Sequence, residues 1–238
     1  MFTFGLGLRP PLAARHPPVS LTQTLGSSSS DAELVAVTKR WVAGMVVGHN
    51  LCPFAGPVRD HTRYVVCRSR TLETFEAELR RLHAVDPDEP ATTLILLPGD
   101  EFFAEFAALM ELQPAVQDLA EPMGIQILPF HPLASYDDEY EEEEEEEVEE
   151  EEEEEGHGLP SEHAARDASD FSGRSPVPML HLLREADVYA SEDDWFSRGG
   201  VPIQQRNAAY LRGLGYQQVE ALRAAVLAGE PVVLPDAG

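Results

Sequence analysis

Residues 92–100 have the sequence TTLILLPGD, an apolar run that stops at a proline and a glycine. An unbroken apolar run of this length, rather than an alternation of apolar and polar residues, is typical of a strand that is covered on both faces. Pro98 and Gly99 then favour a turn. The stretch therefore predicts a central strand in a sheet with layers packed on both sides.

The segments on either side of this run repeat one pattern. An amphipathic helix with Leu72, Phe75, Leu79 and Leu82 precedes it, and before that helix lies a strand at residues 63–67 (RYVVC). A second helix, from Phe102 to Met110, follows, and then a third strand at residues 125–130 (IQILPF). The order β-α-β-α-β implies right-handed crossovers. We therefore predict an α/β fold with a small, mostly parallel sheet of three strands and packing helices.

Further helices are predicted outside this unit. The first has Asp31 as its N-cap and ends near Gly48 and Asn50. Another begins at Ser175 and Pro176 and carries the apolar residues of 179–183, and a last helical stretch runs from about Gln204 to Leu227 with a break near Gly213 to Gly215.

The charge of the chain is concentrated in one segment. The net charge is −26, but residues 137–155 hold 17 of the 43 acidic residues, which leaves 26 acidic against 17 basic residues elsewhere, a net charge of −9. Such dense like charge cannot bury enough surface to offset chain entropy. We predict a disordered acidic insert at residues 137–172 in a single domain made of residues 31–136 and 173–230.

Residues 1–30 differ from the rest in composition. They contain Arg9, Arg15 and His16, no acidic residue, several prolines and the serine run 27–30. This composition is typical of an organellar transit peptide, so we expect a plastid or mitochondrial location. The alternative is a disordered leader on a cytoplasmic protein.

Composition also argues against several classes of function. The acidic balance, with no basic stripe, argues against nucleic-acid binding, and no apolar run approaches the roughly 20 residues of a membrane span. Cys52 and Cys67 form no C-x-x-C pair, and phosphate-loop, dinucleotide, nucleophile-elbow and zinc-helix motifs are missing. We predict a soluble protein without a metal site, and the sequence identifies no cofactor.

Two residues, His131 and Cys52, have side chains of the kinds that act in catalysis. His131 follows the third strand, at the edge where ligands bind in open parallel sheets, and its imidazole can serve as acid or base. The alternative is a structural histidine bonded to a carbonyl. Cys52 is a candidate nucleophile if His49 or His131 activates it, and the alternative is a small buried apolar residue. Arg174 with Ser175 at a helix start suggests an anion site.

Several short motifs together resemble a known family. They are residues 50–55 (NLCPFA), 130–132 (FHP), 174–176 (RSP), 179–185 (MLHLLRE) and 206–207 (RN). In this order the motifs resemble the bacterial domain of unknown function 1415 over approximately residues 32–216, without the acidic insert. His49 departs from the pattern, which has an aliphatic residue before Asn50. The resemblance implies no established activity, but it gives weight to the positions inside the motifs.

Two functional hypotheses follow. The first is a small enzyme that acts on an anionic small molecule, with Cys52 and His131 as catalytic residues and with substrate bound by Asn50, Arg174, Ser175, His181 and Arg184. The second is a non-catalytic binding or assembly module in which the proline-bounded motifs stiffen loops. Convergence of Cys52, His131 and Arg174 on one pocket would favour the enzyme.

Overall fold

A computed structural model of the chain describes residues 29–69, 71–99, 101–135 and 167–230. The strands are β1 Thr62–Val66, β2 Thr92–Leu96, β3 Ile125–Phe130 and β4 Met179–Arg184. The helices are α1 Asp31–Trp41, α2 Ala55–Val58, α3 Leu72–His83, α4 Phe106–Ala120, α5 Glu185–Ser197, α6 Ile203–Leu214 and α7 Tyr216–Ala228. A π-helix, Val42–Val47, continues α1, and short 3-10 turns occupy Arg59–His61, Glu101–Ala104, Glu121–Met123 and Ala168–Ser172.

The three predicted strands form, but a fourth strand changes the sheet. The order is β1-β2-β4-β3, with β1 and β2 parallel and β4 antiparallel to both of its neighbours. The mixed α/β class is confirmed, while the prediction of a mostly parallel, three-stranded sheet is wrong. β4 lies in the gap between the two strands that would otherwise be adjacent, with Met179 paired to both Leu96 and Phe130.

The fourth strand occupies the segment for which a helix was predicted. Leu180, Leu182 and Leu183 have a spacing that suits a helix as well as a strand, so a short apolar run does not decide between them. In the fold, Leu180 and Met179 are both fully buried, although they point to opposite faces of the sheet. The helix predicted from Ser175 is therefore replaced by an extended segment that leads into a central strand.

Each face of the sheet has its own core. Because side chains alternate along a strand, Leu94, Leu96 and Met179 point to one face, where α1, α6 and α7 pack. Ile95, Leu180 and Leu182 point to the other face, against α3 and α4. The run at residues 92–97 is buried throughout, which confirms the prediction of a strand covered on both sides.

The other predicted helices form, with differences at α1 and α4. The helix predicted from Phe102 to Met110 begins only at Phe106, after the 3-10 turn Glu101–Ala104, and continues to Ala120. α1 begins after Ser30, whose side chain accepts a hydrogen bond from the Glu33 N–H in a capping box, so Ser30 and not Asp31 is the N-cap. α6 and α7 are separated at Gly215, where φ is 83°, as predicted. α5 follows β4 directly and was not predicted.

The described residues include part of the segment that composition assigns to the acidic insert. Residues 136–166, which hold the acidic run, and residues 1–28 lie outside the described residues. The turn Ala168–Ser172 was assigned to the insert by composition, yet Asp170 and Phe171 are buried. Among the described helices none is long and apolar enough to cross a membrane.

Candidate functional site

The predicted site residues lie on separate elements of the fold. Asn50 and Cys52 precede β1, whereas His131 follows β3, and these two strands run in the same direction. Arg174 and Ser175 precede β4, whose first residue is paired with the last residue of β3. His131 and Arg174 therefore share one end of the sheet, whereas Asn50 and Cys52 lie in the loop that follows the π-helix Val42–Val47.

His131 uses both of its ring nitrogens within the protein. It is 1% exposed, its Nε2 lies 2.9 Å from the Phe103 carbonyl oxygen, and its Nδ1 accepts a hydrogen bond from the Leu133 N–H at 3.0 Å. The proton must therefore reside on Nε2, which donates to Phe103. Burial lowers the pKa of His131, so the ring is neutral. This geometry matches the structural alternative: the ring joins the loops that follow β2 and β3.

Arg174 makes hydrogen bonds from three of its nitrogens. Nε donates to the Ala134 carbonyl oxygen at 2.9 Å, Nη1 to the Tyr216 hydroxyl at 2.8 Å and Nη2 to Asp170 at 2.8 Å. The guanidinium also lies over the Phe171 ring, 4.7 Å from its centroid. Arg174 therefore uses Nε, Nη1 and Nη2 for hydrogen bonds within the fold, and Asp170 balances its charge.

Ser175 is not a helix cap. It is fully buried, and its hydroxyl donates to the Val177 carbonyl oxygen at 2.6 Å, because the chain here is extended and turns into β4. The predicted arrangement of Arg174 beside the N-terminus of a helix is therefore wrong. Arg174 lies instead before a strand, without the free N–H groups of a first helical turn.

His181 and Arg184 lie on β4 and not on a helix face. His181 Nε2 is 2.7 Å from the Thr92 hydroxyl, which in turn donates to the Leu182 carbonyl oxygen at 2.9 Å, so His181 is the donor. Burial lowers the pKa of His181 to about 4. Arg184 pairs with Asp187 at 2.7 Å and also donates to the carbonyl oxygens of Asp86 and Glu89. Arg184 thereby fixes the connection between α3 and β2.

The loop of residues 49–54, here called the Asn50 loop, brings two of the recognised motifs together. Arg206 Nη1 donates to the Asn50 carbonyl oxygen at 2.7 Å, and Asn207 Nδ2 donates to the Leu51 carbonyl oxygen at 2.7 Å. The loop follows the π-helix, and Asn50 has a positive φ of 52°. Short π-helical segments, and non-glycine residues with left-handed backbone conformations, occur often at functional sites. The Asn50 loop is thus strained locally and held from α6.

His49, at the start of the Asn50 loop, has one nitrogen bonded and one unpartnered. Nδ1 lies 2.8 Å from the Tyr210 hydroxyl, while Nε2 is buried with no hydrogen-bond partner among the described residues. Burial lowers the pKa of the ring, so it is neutral near pH 7. The buried Trp41 Nε1 also lacks a partner in this part of the chain. Buried polar atoms without a hydrogen-bond partner are rare in native folds, so each of them calls for an explanation.

Cys52 is partly exposed in the Asn50 loop, whereas Cys67 is buried. Burial raises the pKa of the Cys52 thiol, and hydrogen bonds from the backbone of Phe54 and Ala55 offset part of this effect. The sulfur is therefore a protonated thiol at neutral pH. Attack on an electrophile requires a base that removes its proton.

Arg206 retains donors beyond its bond to Asn50. Nε and Nη2 have no hydrogen-bond partner among the residues that the structure describes, and the guanidinium lies 5.8 Å from the centroid of the Trp195 ring. Trp195 in turn meets Phe54 edge to face, with centroids 6.4 Å apart. Arg206 therefore offers a positive charge and free N–H groups beside the Asn50 loop, in contrast to Arg174.

The described residues contain no cluster of three or more His, Cys, Asp or Glu side chains with the geometry of a metal site.

Tyr210 and Asn207, which hold the Asn50 loop, were not predicted as site residues. Asn207 is part of the RN motif and Tyr210 follows it by three residues on the same helix face, which is a signal that could have identified them. Thr92, the partner of His181, has no such signal, because only strand pairing brings the two together.

The fold and the site define a class of protein: a mixed α/β domain with a four-stranded sheet, in which polar side chains of the short motifs hold loops through hydrogen bonds to backbone groups. The chain belongs to the family described as protein of unknown function (DUF1415), whose model matches residues 33–149 and 160–221. The resemblance inferred from the motifs is thereby confirmed. No curated protein and no solved structure matches the chain.

Proposed function

We propose that the chain is a small enzyme that acts on an anionic small molecule at the Asn50 loop. The observation that carries this proposal is the convergence of Arg206 on the Asn50 carbonyl oxygen at 2.7 Å, which brings a guanidinium with unused donors to the loop that holds Cys52. Arg206 takes the role of anion recognition that the sequence suggested for Arg174, since the nitrogens of Arg174 are bonded within the fold.

The reacting groups in this proposal are Cys52 and His49. In the proposed step the Cys52 sulfur adds to a carbonyl carbon of the substrate, and the π electrons of that C=O bond move to its oxygen. The thiol proton passes to Nε2 of His49, toward which the Cys52 side chain must first turn, because the two groups are not hydrogen-bonded in the structure. Tyr210 orients the ring through Nδ1. The neutral ring and its unpartnered Nε2 support this role for His49. His49→Leu introduces the residue type that the family pattern has at this position, so it isolates what is particular to this chain.

The test compares two alkylating reagents of different charge. Iodoacetate is an anion and iodoacetamide is neutral, and we expect the ratio of their rates at Cys52 to fall several-fold in Arg206→Gln, because the guanidinium attracts the anion. Arg212→Gln, on the same helix, is the matched control, and Cys52→Ser identifies the reacting thiol. An unchanged ratio in Arg206→Gln would exclude an anion site at Cys52.

A second function, the non-catalytic binding or assembly module, has one observation in its favour. The polar side chains of the motifs bond mainly to backbone groups, as His131, Arg184 and Asn207 do. In that case the rate of Cys52 alkylation depends only on the raised pKa of this partly buried thiol and does not change in His49→Leu. If the rate of Cys52 alkylation near pH 7 falls in His49→Leu but not in His61→Leu, the result supports the enzyme hypothesis.

For location we propose import into a plastid or a mitochondrion. The support is the composition of residues 1–30, which hold basic and hydroxyl side chains and no carboxylate. A fusion of these residues to a fluorescent protein tests the proposal. Localisation to an organelle is expected, and a diffuse cytoplasmic signal would overturn it.

A further inference from the structure

Helix α5 packs weakly against the rest of the domain. It spans 13 residues, Glu185–Ser197, and none of them is buried. A helix of this length is marginal in water without tertiary packing. Its position must therefore depend on a few contacts along its inner face.

Those contacts lie at the two ends of α5. At the start, Asp187 pairs with Arg184 at 2.7 Å. At the end, Trp195 Nε1 donates to the Val201 carbonyl oxygen at 2.8 Å, and its ring meets Phe54. Because the helix is held in this way, its outer surface is not needed for folding.

The outer surface of α5 carries a mixed aromatic and acidic stripe. Tyr189 is 62% exposed and Phe196 48% exposed. Glu192 and Asp193 lie between them at helical spacings of three and four residues, so the four side chains share one face. Neither Glu192 nor Asp193 forms an ion pair with another described residue. These four residues are called the α5 stripe, and Val201, 49% exposed, lies beyond its end.

The charge of α5 identifies the chemistry that the stripe would recognise. The helix contains five acidic residues and no basic residue. Nucleic acids and anionic membranes are repelled by such a surface, whereas a cationic segment with apolar side chains matches both its charge and its aromatic groups. We propose that the α5 stripe is a docking surface for a basic amphipathic segment of another protein.

In the proposed complex, lysine or arginine side chains of the partner lie against Glu192 and Asp193, and its apolar side chains cover Tyr189 and Phe196. Buried aromatic anchors contribute most of the affinity of such interfaces, while exposed charge pairs raise the association rate and the salt dependence. The two pairs of residues therefore have separable effects. The four residues of the α5 stripe take no part in the chemistry proposed for Cys52; Trp195 is the residue of α5 that contacts Phe54 and Arg206.

The experiment uses a labelled helical peptide made only of leucine and lysine, with its leucines on one face, and measures its binding to the full chain by fluorescence anisotropy. The same peptide with glutamate in place of lysine is the control probe. We expect Tyr189→Ala with Phe196→Ala to weaken binding about tenfold or more. Glu192→Gln with Asp193→Asn should weaken it less and reduce its dependence on salt.

Two variants on other surfaces separate the stripe from general attraction. Every protein in the comparison keeps the acidic run, so its contribution to binding is the same in each. Met110→Ala removes an exposed apolar residue of α4 and should leave binding unchanged. Equal binding by the stripe variants and the wild-type chain, or no binding of the lysine peptide at all, would refute the proposal. Sedimentation that shows a dimer lost in the Tyr189 and Phe196 variant would assign the stripe to a second copy of this chain instead.

Discussion

Asn207 Nδ2 donates to the Leu51 carbonyl oxygen across 2.7 Å, which joins residues that are 156 positions apart in the sequence. Together with Arg206 on Asn50, this bond fastens the Asn50 loop to α6. The loop therefore keeps its conformation even though Asn50 has a positive φ and a π-helix precedes it. The geometry of Cys52 depends on residues near the other end of the chain.

Replacement of Asn207 by alanine should destabilise the fold. The side chain is buried, so its loss leaves the Leu51 carbonyl oxygen without its partner, at a cost of about 1–3 kcal/mol in the free energy of unfolding. Urea unfolding measures the change. Gln205→Ala, an exposed position on the same helix, is the control and should fall within about 0.5 kcal/mol of wild type. Equal effects of the two substitutions would mean that the bond to Leu51 is not important.

His131→Ala should also destabilise the protein, and to a larger extent. The substitution leaves the Phe103 carbonyl oxygen and the Leu133 N–H unpaired in a buried region and creates a cavity, which together cost about 2–4 kcal/mol. Thermal or urea unfolding tests this prediction against His61→Ala, an exposed histidine. A fully stable His131→Ala protein would restore the catalytic hypothesis for this residue.

The stability of the protein should fall as the pH decreases from about 6.5 toward 4. His181 has a pKa of about 4 in the fold because burial disfavours its charged form, while the unfolded side chain has its ordinary value of 6.5. The unfolded state thus binds more protons between these values, and the free energy of unfolding declines by up to about 1.4 kcal/mol per pH unit for this group. Above pH 6.5 its contribution is fully present.

His181→Gln provides the test of this pH dependence. Glutamine retains a donor for the Thr92 hydroxyl but does not titrate, so the slope of unfolding free energy against pH should become shallower in this variant. A residual slope of the same sign remains, because burial also lowers the pKa of His49 and His131. Slopes that are identical in variant and wild type would show that His181 is not protonated on unfolding in this range.

Deletion of Glu141 to Glu155 should leave the thermal stability nearly unchanged. The run contains 14 glutamates in 15 residues, so it has almost no apolar surface to contribute to the core. It connects the segment after His131 to the turn Ala168–Ser172, which packs against α6. Scanning calorimetry of the deletion checks the prediction. A loss of cooperative unfolding would indicate that the run takes part in the fold.

Local patterns were sufficient for most of the elements. The apolar run at 92–97, the helix with Leu72, Phe75 and Leu79, and the break at Gly215 all appear as predicted, because each depends on periodicity or on the freedom of glycine in the immediate sequence. The segment 179–184 could not be assigned in the same way. It becomes a strand only because the edges of β2 and β3 are both open to it.

The candidate site shows the same division. The motifs identified Cys52, Asn50 and the Arg206-Asn207 pair as positions of interest, and sequence order placed His131 after a strand. Which arginine has free donors could not be predicted, since it depends on whether Asp170 and Tyr216 reach Arg174, and they do. Hydrogen-bond partners that are distant in sequence have no local signature.

The amino-acid sequence by itself determined the α/β class, the two-sided burial of residues 92–97, the family and the concentration of negative charge in one segment. These properties follow from composition and from short-range periodicity. Only the tertiary structure decided that β4 enters the sheet antiparallel, that His131 and Arg174 each bond to groups within the fold, and that Arg206 meets the Asn50 loop. The reason is physical: pairing, burial and hydrogen-bond satisfaction depend on which distant groups meet.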